Sequence, residues 1–147
     1  MLNELLTLLN KANADYLCTY SSAQEMNLKA DTINRDKGFA YVEEYRNGTH
    51  DYSSFLPTER TNVSIFFCRL CEFGNDAIER EQIINRIKNE IVIPFEKAYN
   101  ESGIFSPCNS FQWRTITPAD AQFDANEVGL VLTFTAEQKN TCIGEWR

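Results

Sequence analysis

The sequence predicts an α+β fold: a mainly antiparallel β-sheet packed with one long helix and an N-terminal helix. Three observations predict it. A helical stripe runs through about residues 76–101, with two strand-like segments before it (39–45 and 62–70) and two after it (111–117 and 128–135). A leucine stripe opens the chain, which makes the order α-β-β-α-β-β. The 147 residues, 43% of them hydrophobic, are enough for a single domain spanning 1–147 with its own core.

In the first helix, over 2–14, Leu2, Leu5, Leu6, Leu9 and Ala12 follow the spacing of one buried face, with Leu8 on its flank. A long, mostly polar arm at 15–38 follows, in which 16–20 is a candidate short strand. Phe39, Tyr41 and Tyr45 then alternate as a half-buried strand requires. Asn47-Gly48 is a turn signal, but Tyr52, Phe55, Leu56 and Pro57 follow before the next strand, so an inserted excursion over 46–60 is expected. In 62–70, Val63, Ile65 and Phe67 share one face and Phe66, Cys68 and Leu70 the other, as in a strand covered on both sides.

Asp76 offers a cap for the long helix, whose buried stripe is Ile83, Ile84, Ile87, Ile91 and Phe95. Pro94 falls inside that stripe and predicts a kink or restart near 92–95. Ser102-Gly103 ends the helix. Phe111, Trp113 and Thr115 alternate with Gln112, Arg114 and Ile116, and Val128, Leu130, Leu132 and Phe134 with Gly129, Val131, Thr133 and Thr135. Between these strands lies an acidic loop, 118–127, with Asp120, Asp124 and Glu127, and after them a tail, 136–147, expected to be extended or frayed.

The formal net charge of −7 argues against general nucleic-acid binding, which depends on Lys and Arg neutralising phosphates. The first residues lack a basic start with a long apolar run, and no stretch is long enough to span a bilayer, so a soluble protein made in a cytoplasm is expected. The motifs with chemical potential each have a plainer reading. Cys68 and Cys71 have knuckle spacing, but on a strand they face opposite sides and no second pair follows, so buried small residues are expected rather than metal or redox chemistry. His50-Asp51 reads as a polar turn, and Glu43-Glu44 and the acidic loop as solvated carboxylates. No Gly-rich phosphate loop is present. The expectation is a protein that is not an enzyme and carries no cofactor or metal.

The opening helix, the doubly apolar strand leading into a helix, the stretch Ile91-Val92-Ile93-Pro94 and the acidic loop feeding 128–135 together resemble the tail terminator (tail completion, minor tail) proteins of long-tailed bacteriophages. The resemblance covers about 1–135 and is one of element order and hydrophobic pattern. The arm at 15–38 and the insertion at 46–60 depart from the smaller members. The resemblance implies a structural virion protein, assembled in the host bacterial cytoplasm. It implies a homo-oligomeric ring, hexameric in the family, at the end of the tail tube or at the head–tail junction. Its implied partners are further copies of itself, a tail tube protein and a head-completion or connector protein, with no sequence-specific nucleic acid and no membrane. Tyr52, Phe55, Leu56, Asp120, Asp124 and Glu127, on the loops 46–60 and 118–127, are the expected contacts to a neighbour or the tube. An acidic surface on a DNA-conducting lumen would repel phosphate. The alternatives are a small ligand-binding or regulatory α+β domain with its pocket under 46–60, and another head–tail joining protein.

Overall fold

The computed structural model describes residues 1–21, 38–53, 56–70, 77–116 and 127–138. It has mixed helix and strand content, with a mostly antiparallel sheet, as the hydrophobic periods predict. Helix α1 (Leu2–Ala12) buries Leu5, Leu8 and Leu9 and packs Leu2, Leu6 and Ala12 partly against the same core. Asn13 stops it by turning extended, and its side-chain oxygen accepts the Asp15 N–H at 2.9 Å.

Six strands follow: β1 (Leu17–Ser21), β2 (Gly38–Glu43), β3 (Gly48–Asp51), β4 (Thr58–Leu70), β5 (Gln112–Ile116) and β6 (Glu127–Glu137). Their order across the sheet is β1-β2-β4-β6-β5, with β3 also paired to β4. The β1–β2 pair is parallel and the others are antiparallel. β1 therefore takes the first part of the 15–38 arm into the sheet, and 22–37 lies outside the described residues.

The expected excursion over 46–60 is corrected in part. Gly48–Asp51 lies against Thr58–Thr61, so β3 resumes the edge of β4 that β2 leaves. Asn47-Gly48 is a bend between two strands on one edge, not a reversal. The Asn47 carbonyl accepts the Asn62 N–H at 2.8 Å, and the two side-chain amides bond at 2.6 Å. The tail expectation also shifts: β6 runs on to Glu137, and Gln138 bridges to Phe105, with 139–147 outside the described residues.

The long helical stripe becomes α2 (Ala77–Ile87), a π turn (Lys88–Val92) and α3 (Ile93–Glu101). Pro94 explains the break, because in a regular α-helix its ring would press on the Glu90 carbonyl and it has no N–H to offer that oxygen. The wider turn absorbs one extra residue, with the Ile93 N–H donating to the Lys88 carbonyl. The Glu90 carbonyl receives the Asn13 side-chain amide at 3.2 Å.

These helices cover one face of the sheet. Ala40, Val42, Val63, Ile65, Phe67, Leu130, Leu132 and Phe134 meet Ile84, Ile87, Ile91 and Phe95 there, each full burial of an aliphatic or Phe side chain stabilising by about 1.5–3 kcal/mol. Tyr99 stacks on Phe105 (centroids 4.8 Å apart) and meets Phe134 edge-on, which pins the connection from α3 to β5. Phe39, Tyr41, Phe66, Cys68, Ile116 and Val131 form a second buried cluster on the opposite face. The two-sided reading of β4 is thus how it packs: Val63, Ile65 and Phe67 on one side, Phe66 and Cys68 on the other. No helix among the described residues is long and apolar enough to cross a membrane.

Candidate functional site

Of the six residues expected to make contacts, Tyr52, Leu56 and Glu127 lie among the described residues. Tyr52 and Leu56 stand on the turn between β3 and β4, 67% and 55% exposed. Glu127 opens β6 opposite Leu70, at the far end of β4. That strand has 13 residues, which separates the two places by roughly 40 Å at about 3.3 Å per residue. Phe55, Asp120 and Asp124 lie outside the described residues, as do Cys71 and Asp76.

The residues with catalytic potential are occupied otherwise. His50 and Asp51 are consecutive on β3, so their side chains leave opposite faces. Asp51 accepts the Ser53 N–H at 2.8 Å, and bonds from the Ser53 hydroxyl and N–H, with Arg60 3.9 Å away, hold its carboxyl below the usual range. His50 is exposed and meets the Tyr52 ring edge-on. Glu43 accepts the Tyr45 N–H. Cys68 is wholly buried, and burial pushes the Cys18 thiol up to about 11, which keeps it a thiol at neutral pH. Among the described residues no group of His, Cys, Asp and Glu is placed to hold a metal ion.

The strongest polar constellation is one that sequence reasoning passed over. Arg69, in the helix-facing series of β4, donates through one terminal nitrogen to Glu90 at 2.7 Å and through Nε to the Tyr16 hydroxyl at 3.2 Å. Tyr16 in turn donates to Glu90 at 3.1 Å, and Arg86 binds the second carboxylate oxygen. The Arg69 guanidinium sits 5.3 Å from the Tyr16 ring centroid. Burial opposes the Glu90 charge, but bonds from Arg86 and Arg69, the Arg69 charge and the Tyr16 hydroxyl outweigh it and lower its pKa. Burial raises the Tyr16 phenol to about 12, so it remains a donor. These bonds tie the loop after α1, strand β4 and the π turn together. A signal was present: an arginine at 69 continues the buried series 63, 65, 67, and a charge there requires a partner.

Among the described residues, three depressions stand out on the surface. One of about 280 Å³ lies under the β2–β3 bend and is lined by Met1, Arg46, His50 and Glu59 among others. One of about 430 Å³ runs between α1 and α3, past Lys11, Ile93 and Lys97. One of about 390 Å³ lies on the polar half of the sheet face opposite α2 and α3, at Asn62, Ser64, Gln112 and Thr133. The first is where a pocket under 46–60 was expected, and it falls just below the roughly 300–1,000 Å³ typical of small-molecule sites.

The two sheet edges are the more distinctive surfaces. Among the described residues, β1 and β5 each have a strand on one side only. Leu17 and Tyr20 on β1 are 51% and 44% exposed, and Trp113 on β5 is 53% exposed under the Lys88 ammonium, 3.6 Å from the ring centroid. Unpaired backbone donors and acceptors beside exposed apolar side chains are a template for another strand. No protein-family model matches the sequence, and no curated protein matches it.

Proposed function

We propose that the chain is a structural subunit of the tail terminator type, forming a homo-oligomeric ring in a phage or prophage virion, at the end of the tail tube or at the head–tail junction. The observation that carries this reading is the pair of open sheet edges, at opposite ends of one sheet, each bearing large exposed apolar residues. A ring is built from a heterologous contact repeated until it closes, so a subunit needs two different, complementary surfaces. The resemblance in element order supports the same reading, and the projecting β3–β4 turn with Tyr52 and Leu56 offers a separate surface for a tube or connector protein. In this reading the chain does no catalysis, and the Arg69–Glu90–Tyr16 cluster stiffens the wall of the ring.

Light scattering with negative-stain microscopy on the purified chain tests this reading. Closed rings, or a mass that is a fixed multiple of 16.9 kDa, are expected. A monomer that persists to millimolar concentration contradicts it. The reading as a small ligand-binding domain has one observation in its favour, the depression at Arg46 and His50, and it predicts that persistent monomer.

A further inference from the structure

We propose that β5 of one copy pairs antiparallel with β1 of the next, so that the sheet continues from subunit to subunit with Tyr20 opposite Trp113. The inference rests on the ring reading and names the contact that closes it.

Strand direction comes first. β1 and β2 are parallel, and each further step across the sheet to β4, β6 and β5 reverses direction. β1 therefore runs opposite to β5. A neighbouring copy related by a rotation that keeps strand direction brings its β1 antiparallel to this β5. That extends the pattern the rest of the sheet already uses and satisfies the two rows of backbone groups that have no strand beside them among the described residues.

Register comes second. Both edge strands have five residues. Laid end to end in the antiparallel sense, they set Leu17 opposite Ile116, Cys18 opposite Thr115, Thr19 opposite Arg114 and Tyr20 opposite Trp113. The faces agree at every pair that can be checked. Cys18 and Tyr20 lie beside Ala40 and Val42, on the helix-covered face, and Trp113 and Thr115 lie beside Leu132 and Leu130 on that same face. Leu17 lies beside Phe39, and Arg114 and Ile116 beside Val131 and Gly129, on the other face. A shift of one residue would break this agreement throughout. The full-length register thus joins aromatic to aromatic and aliphatic to aliphatic, the cross-strand pairs that stabilise sheets.

Charge comes third. The β5 edge carries Arg114 and the Lys88 ammonium over Trp113. The β1 edge has no charge of its own, but Asp15 precedes it and Glu43 lies beside its last residue. Two copies of one edge would not match in this way, so the occupant is the opposite edge of a second copy. The sequence Leu17-Cys18-Thr19-Tyr20-Ser21 has no lysine, proline or inward charge, the devices that keep an edge from pairing.

The test uses Tyr20→Lys and Trp113→Lys, each in the full chain, with mass read by light scattering. Each variant alone should lose the ring, its subunit dissociation constant rising by about tenfold or more. Mixed in equal amounts they should form a 1:1 dimer and nothing larger, because one partner supplies the intact β5 and the other the intact β1. Leu17→Lys and Arg114→Glu form a second pair with the same expectation, should either first variant fail to fold. Rings that survive the substitutions, or folded variants that stay monomeric when mixed, overturn the strand pairing and leave the ring reading standing. A wild-type chain that is monomeric to millimolar concentration overturns both.

Discussion

Glu90 holds four groups from three parts of the chain. Asn13 reaches its carbonyl, and Tyr16, Arg69 and Arg86 reach its carboxylate. Glu90→Gln removes the charge that Arg69 was desolvated to meet, and should cost about 2 kcal/mol in urea unfolding. The pH dependence has a definite sign. The folded-state pKa of Glu90 is depressed below the ordinary 4.5, so its contribution is complete above that value and is lost as pH falls through the folded value. Wild-type stability should therefore drop below about pH 4.5 more steeply than that of Glu90→Gln. Equal acid slopes would show that the carboxylate is not held as described. Gly38 is constrained by the same region, because a Cβ there would run into the Tyr16 ring. Gly38→Ala should cost about 1–3 kcal/mol, read as a lower denaturation midpoint.

At the scale of elements, the helical stripes, β2, β4 and β6 were legible because each buries apolar residues, and β5 through its alternation although only Ile116 of it is buried. β3 was not. Gly48, Thr49, His50 and Asp51 include no apolar residue, and the strand forms through its backbone against Thr58–Thr61. The π turn was legible only as a kink at Pro94, since sequence does not say how a helix will accommodate a missing donor. The structure answers with Asn13, and that makes a coupling measurable. Asn13→Ala should cost about 1 kcal/mol in the wild type. In a Pro94→Ala background, where residue 94 regains an N–H for the Glu90 carbonyl, it should cost clearly less. Additive costs would mean that the two residues do not serve the same oxygen.

At the scale of the whole molecule, the surfaces that matter were the least legible. Tyr20 and Trp113 were visible as residues, but nothing in their local pattern says that their strands are the two ends of one sheet. That follows from strand order, which depends on pairings between residues distant in sequence, such as Leu17–Phe39 and Arg60–Glu137. Of the loop residues drawn from sequence, Tyr52 and Leu56 lie near the start of β4 and Glu127 stands opposite its last residue. The chain has one face covered by helices and, at the two ends of its sheet, the strands β1 and β5 that the proposed ring would join. Amide hydrogen exchange across a dilution series tests most directly whether it assembles through its edges. The amides of β1 and β5 should exchange slowly in the concentrated, assembled protein and much faster once dilution separates the copies, while β4 and β6 change little. Exchange in β1 and β5 that is the same in assembled and separated protein would contradict the account.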